Sequence, residues 1–568
     1  MPKPLRSAAP AIVGLIAILG IAAGATLASR PAGAALAGGG GAVRVDTSAA
    51  AASTGGTQAA STSRSSQGSS SSTTSSSSTS TGTLPCSTPL STGGGEWRSY
   101  GHDPFNTRTQ PAEATIGTAQ AGSLAPAWVF ALSSAGDSGQ LNSTPLVENG
   151  CAFFTASNGG VYAVNAASGA FVWKHDFTVS TPGLGGAIVG GLAISEGRVY
   201  VIVNETGDGM SVGPYVAALN MHTGSLVWQS RPINDGSGYY SNATPQVIDD
   251  VVFAGFSPAE GDSSGQGGFA LVDTEDGRIV KLTDTISAAD QKQGFAGGGI
   301  WSTPAWNPQS GFAYVGAGNP YSKTQEDPHT NAILKIDMRD DDSPTFGSIV
   351  AAYKGNVDQY TQTLQALSQT PLCAATVSAP DPLDDPACGQ LDLDFGASPN
   401  LFTADGHLVV GDLQKAGVYH VADAGSMAPV WNTVVGATCQ ACNAASTAVD
   451  GSTVLGESTP GGLLFGLGRN DGARTWETPV GDGVHYQAIS EADGVVYTVD
   501  TTGFFDAFDA ATGLPIMRRQ MSQDTSFPMG ALTSGGIAVA YHTVYVAGSG
   551  GPGNGLPEAG FLVAYRLP

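Results

Sequence analysis

Charge is scarce in this chain. Only 12% of its 568 residues are Asp, Glu, Lys or Arg, about half the share of an average soluble domain. Basic residues are the scarcer kind: 23 Lys and Arg against 47 Asp and Glu leave a formal net charge of −24. No basic cluster lies beyond the first residues, so binding to nucleic acid and attraction to anionic lipid headgroups are both disfavoured. Haem and zinc motifs are missing as well. The one CxxC, Cys439-Gln440-Ala441-Cys442, is followed by Asn443 rather than His, which excludes c-type haem attachment there. No second CxxC or closely spaced His pair accompanies it, which argues against zinc.

What is abundant is glycine, at 79 residues, about twice the usual share. Low charge with many glycines suits a β protein rich in tight turns. Composition also divides the chain. Residues 1–35 join a basic start (Lys3, Arg6) to an apolar run from Ala8 to Ala28. This reads either as an export signal cleaved among Ala32–Ala35 or, at about 20 residues, as a single-pass membrane anchor. Residues 36–85 form a Ser/Thr/Gly/Ala-rich linker. Its composition buries too little apolar surface to offset ordering entropy, so disorder is expected. Residues 86–568 are the folded region, held away from a membrane or wall in an extracellular or cell-envelope location. All six cysteines lie beyond the export segment, and an even count in an oxidising compartment suggests disulfides with fifteen pairings possible. Proximity favours Cys439–Cys442 and Cys373–Cys388.

Sliding the sequence along itself reveals a repeat. Val161–Trp173 (VYAVNAASGAFVW), Tyr215–Trp228 (YVAALNMHTGSLVW) and Leu463–Trp476 (LLFGLGRNDGARTW) each place a small residue six positions before a Gly and a Trp four after it. Weaker copies start at Phe269, Val418 and Phe505, a half-copy starts at Ala332, and the chain ends in FLVAYRLP, which makes eight. Alternating apolar positions on either side of an Asn/Asp/Ser/Thr-Gly turn describe a hairpin. Upstream of several hairpins stand Thr144-Pro145, Thr244-Pro245, Thr303-Pro304 and Ser398-Pro399, each leading into further strand sequence. Four strands per unit make a propeller blade, and eight units predict an eight-bladed β-propeller of four-stranded antiparallel blades. The segment APAWVFAL at Ala125 looks like the outer strand missing from the last unit, so it is expected to close the ring. A parallel β-helix is the alternative, disfavoured because hairpin-turned units do not stack that way.

These units resemble the pyrroloquinoline-quinone (PQQ) type propeller repeats of the quinoprotein alcohol dehydrogenases, and the resemblance begins at Glu96–Arg108 (EWRSYGHDPFNTR). The sequences IWSTP, GNPYS and DFGASP are closest to the polyvinyl-alcohol-dehydrogenase-like branch. The resemblance implies a cofactor site. Glu260 is similar to the family's metal-binding Glu, Trp301 to the Trp forming the floor beneath PQQ, and Asn319 to the Asn that binds the metal. Asp392 matches the catalytic base, Asp394 matches a second Asp that joins a lanthanide in some members, and Lys415 matches the cation contacting the quinone oxygens. At i and i+2 on a strand, Asp392 and Asp394 point to one face, a costly arrangement unless a cation or solvent receives them. Singly, each residue has an ordinary reading: a solvated charge, a core indole, a turn amide. Their order across residues 260 to 415 is what carries the resemblance.

Two features depart from the family. There is no adjacent Cys-Cys pair to cover PQQ, and Thr181–Ala193 contains no Arg for a PQQ carboxylate. The implied activity is oxidation of a small or polymeric alcohol by hydride transfer to PQQ, assisted by Ca2+ or a lanthanide. The electrons pass to an external acceptor such as a cytochrome c. The competing reading is a non-catalytic propeller serving as a surface scaffold, with a wall- or matrix-binding lectin as a third.

Overall fold

Each repeat found in the sequence is the outer hairpin of one sheet. In the first, Gly160–Asn165 pairs antiparallel with Phe171–Asp176 across a turn in which Gly169 adopts a φ of 69°. Asn165 Oδ1 accepts the backbone N–H groups of Ala167 and Ser168, which shapes that turn. The computed structural model describes residues 84–568 apart from 142, 178–183, 208–209, 235–237, 260–261, 263, 322–326, 357–372, 375–392, 439–442, 459–461, 482–484, 526–535 and 550–559. The candidate export segment, nearly all of the linker, Cys388, Cys439 and Cys442 lie outside the described residues, and of Cys373 only the backbone strand is described.

Eight antiparallel sheets follow one another along the chain. Blades I to VIII span 146–176, 192–229, 246–284, 305–354, 400–434, 448–479, 490–520 and 538–566. The fourth strand of blade VIII is Ala125–Ala131, paired antiparallel with Gly560–Arg566, so the ring closes as the sequence predicts. In each blade the second and third strands are buried on both faces because neighbouring sheets stack on them. On Phe312–Gly316, Ala313 and Val315 pack with Phe253 and Leu271 of blade III, while Tyr314 packs with Leu401 and Val410 of blade V. Two-sided burial accounts for the near-continuous apolar sequence of strands such as Cys151–Thr155 and Val495–Val499.

Where a repeat carries its Trp, that side chain locks one blade to the next. The Trp173 indole lies against Gly224 of blade II, where a β-carbon would stand 2.5 Å from Cε3, and its N–H donates to Met221 O at 2.9 Å. Trp128, Trp228 and Trp476 repeat the arrangement at Gly169, Gly277 and Gly513, donating to Ala166, Thr274 and Ala510. Glycine in that turn therefore serves twice: it takes positive φ and it leaves room for the neighbouring indole.

The hydroxyls of the Ser/Thr-Pro markers link blades around the axis. Thr303 N–H donates to Ser398 Oγ (2.9 Å), Ser398 N–H to Ser446 Oγ (2.8 Å), and Gly536 N–H to Thr144 Oγ1 (2.8 Å). Residues 95–113 run beneath this ring, on the side of the turns between first and second strands. They bond in succession to blades I, IV, V, VI, VII and VIII. Arg108 is the centre of this plug. It is fully buried and donates to the carbonyls of Ile489 (2.5 Å) and Ile537 (3.2 Å), to Ser490 Oγ (3.0 Å), and to Tyr100 O. A disulfide between Cys86 and Cys151, which proximity in sequence did not suggest, ties the same segment to blade I.

Candidate functional site

Second strands run away from the plug, so their C-terminal ends and the loops beyond them lie on the opposite face. The connection from each outer strand to the next blade crosses that same face. Every described residue singled out from the family resemblance falls in one of these two connection types in blades III to V. Asn319 and Lys415 follow second strands, and Trp301 and Asp394 lie on crossings. Glu260 and Asp392 lie outside the described residues.

Glycines bring the first crossing in close. Gly297 N–H donates to Gly265 O and Gly267 N–H to Gly297 O, both at 2.9 Å, which ties the crossing to the loop that contains Glu260 in the sequence. On its other side Gly298 N–H donates to Asn319 O (3.0 Å) and Gly318 N–H to Gly299 O (2.7 Å). A β-carbon at Gly297 would collide with the Asn319 carbonyl, so the GGGIW sequence is the condition for this contact. Asn319 is thereby buried, and its side-chain Nδ2 has no hydrogen-bond partner.

Trp301 follows immediately and remains partly exposed. Its indole N–H donates to Asp394 Oδ2 at 2.8 Å, and Gly396 leaves space for the edge of the ring. Lys415 Nζ stands 5.0 Å from the ring centroid and 2.5 Å from Asp394 Oδ1. Its backbone N–H donates to Asp394 O (3.1 Å), and Asn443 Nδ2 donates to Lys415 O (3.2 Å). Three residues separated widely in sequence thus share one contact set: an indole face, a carboxylate at its edge and an ammonium above it.

These residues suit a flat, anionic, metal-associated ligand. The open indole face offers a surface for a planar ring, the ammonium offers charge to ring oxygens, and the buried Nδ2 of Asn319 lacks a hydrogen-bond partner. Oxygen and nitrogen of such an amide exchange by a simple flip, so it can present its oxygen to a cation. Sequence reasoning missed two neighbours. Tyr486 lies within the field of Lys415: burial raises its phenol pKa and the ammonium lowers it. Asn443, which braces the Lys415 backbone, reads in the sequence only as the residue after CxxC.

Comparison with known proteins identifies the repeat type. A PQQ-repeat family model, described as outer membrane protein assembly factor BamB, matches residues 91–320. The chain is 23% identical over 467 residues to polyvinylalcohol dehydrogenase of Pseudomonas sp, covering 74% of this chain and 66% of that protein. Residues 91–320 carry PQQ-type propeller repeats. The chain is also 28% identical over 262 residues to quinohemoprotein alcohol dehydrogenase ADH IIB of Pseudomonas putida, covering 41% of this chain and 36% of that one. The alignments therefore span from about a third to about two thirds of these relatives' lengths. Among solved structures, quinohemoprotein alcohol dehydrogenase from Comamonas testosteroni matches with a TM-score of 0.61 at 15% identity, covering 83% of this chain and 80% of that one. A europium-containing methanol dehydrogenase matches with a TM-score of 0.60 at 15% identity, covering 83% and 98%. These likenesses show the eight-bladed fold.

Proposed function

We propose that the chain is an exported PQQ- and metal-dependent dehydrogenase that oxidises an alcohol and passes the electrons to an external acceptor, such as a cytochrome c. The observation that carries this reading is the mutual contact of Trp301, Asp394 and Lys415 on the same face as Asn319, whose buried Nδ2 has no hydrogen-bond partner. The names of the sequence relatives, among them a quinohemoprotein alcohol dehydrogenase, a polyvinylalcohol dehydrogenase and a quinone alcohol dehydrogenase subunit, support it. PQQ with Ca2+ or a lanthanide supplies a quinone able to accept hydride. Trp301 supports the ring system, and Lys415 stabilises negative charge on its oxygens. Glu260, Asn319 and Asp392 hold the cation, which takes six to eight oxygens. Asp392 takes the alcohol proton. Export rests on the basic start and apolar run of residues 1–35, with residues 36–85 as the tether to the folded region.

The test is dye-linked oxidation of primary, secondary and polymeric alcohols by protein reconstituted with PQQ and Ca2+ or La3+. Asp392→Asn abolishes turnover while PQQ uptake survives, and unchanged turnover removes Asp392 from this role. Failure to take up PQQ with any metal leaves the propeller as a binding scaffold.

A further inference from the structure

Asp394 is almost wholly buried at 3% exposure, and its two oxygens face different partners. Oδ2 accepts the Trp301 indole N–H at 2.8 Å, and Oδ1 lies 2.5 Å from Lys415 Nζ. Its carbonyl accepts the Lys415 backbone N–H. One residue therefore fixes the floor and the cation above it through three contacts. Resting on the dehydrogenase reading, we infer that Asp394 is a positioning residue that locks Lys415 over Trp301 and is thereby withheld from the metal.

The argument is electrostatic. A hard cation sits about 2.3–2.6 Å from each oxygen ligand. Bound to Oδ1, it would lie within a few ångströms of the Lys415 ammonium, in a site where little water screens the repulsion. Displacing the ammonium instead would strand a buried charge. A trivalent ion gains more from an added carboxylate than a divalent one does. Removing the ammonium should release the Asp394 oxygen and favour the trivalent ion.

The test titrates PQQ-loaded protein with CaCl2 and with LaCl3, following the cofactor absorption band and tryptophan emission rather than turnover. Asp394→Asn is expected to shift both spectra while changing the affinity for either metal by less than about tenfold, the low end of effects from residues outside the ligand set. Lys415→Met is expected to produce the same spectral shift, with no further shift in the double variant, and to raise the La3+ to Ca2+ affinity ratio at least about tenfold. A larger loss of both metals in Asp394→Asn, or an unchanged ratio in Lys415→Met, overturns the inference. Lys415→Met leaves the carboxylate in place, so it decides the question even if Asp394→Asn fails to fold. Absence of PQQ uptake by the unaltered chain overturns the dehydrogenase reading and this inference with it, whereas uptake combined with a ligand-like loss overturns the inference alone.

Discussion

The Trp301 indole N–H donates to Asp394 Oδ2 at 2.8 Å, joining two residues 93 positions apart on successive crossings between blades. The bond sets the plane of a partly exposed aromatic face at the end of the propeller opposite the plug. It also turns Asp394 toward Lys415, so the site and the inter-blade packing depend on the same local geometry.

The blade-locking role of the repeat glycine can be separated from its backbone role. Gly224 and Gly406 both have positive φ, at 68° and 82°. A β-carbon at Gly224 meets the Trp173 ring, whereas one at Gly406 meets nothing within 4 Å. Gly406→Ala should cost about 1 kcal/mol in backbone strain, and Gly224→Ala about 1–3 kcal/mol more from overpacking. Equilibrium denaturant unfolding of the two variants measures the difference. Equal losses would mean that the indole contact contributes nothing.

Arg108 holds the plug beneath the ring. Burial lowers its pKa to about 10, so it stays charged at neutral pH. Its charge is met chiefly by carbonyls of blades VII and VIII and of the plug itself. Arg108→Met leaves those acceptors unpaired in the interior and should cost about 3–5 kcal/mol. Limited proteolysis should then cut residues 84–113 before the blades, and an unchanged digestion pattern would contradict the role.

The seam between blades VI and VII carries a buried polar row. Thr498 Oγ1 donates to Glu457 Oε2 at 2.7 Å, His485 Nδ1 lies 3.2 Å from the same oxygen, and Asp506 lies 3.4 Å from Arg518. Burial pushes the Asp506 carboxyl up to about 7, the nearby Arg518 opposing the shift. The fold therefore holds a proton that the unfolded chain releases between about pH 4 and pH 7. Across that window stability falls as pH rises, and above it the loss is complete. The His485 pKa is raised by Glu457 against the opposing effect of burial, so its contribution is also lost as pH rises through its folded value. Asp506→Asn should flatten the slope and stabilise the protein at pH 8 by about 2–4 kcal/mol. Thermal melts of both proteins at pH 5 and pH 8 check the sign.

The hairpin repeat, the eight blades and the closing strand at Ala125–Ala131 were legible because each rests on local periodicity or turn chemistry. The candidate site was legible only as an ordered set of residues. Spacing put Asp392 and Asp394 on one face of a strand, whereas Asp394 lies on an irregular crossing ahead of Asn400–Ala404; nor could spacing say that Asp394 meets Trp301 and Lys415, since that contact depends on how two crossings approach each other. Arg108 read as one charge in a segment resembling the family, and its burial follows from contacts with residues some 380 positions away. The Cys86–Cys151 disulfide was hidden for the same reason: pairing by sequence proximity favours near cysteines, and these are 65 residues apart. The indole–glycine contact between blades is spelled out in the Trp-bearing repeats, yet within one repeat the Trp looks like an ordinary strand residue four positions past a turn.

The central claim is that residues 260, 301, 319, 392 and 415 build one cofactor site, and an absorption titration with PQQ tests it most directly. In the presence of Ca2+, the unaltered chain should take up one equivalent of PQQ with quenching of tryptophan emission, and Trp301→Ala and Asn319→Ala should each weaken that uptake at least about tenfold. No saturable uptake with Ca2+ or a lanthanide, or uptake indifferent to both substitutions, would contradict the account.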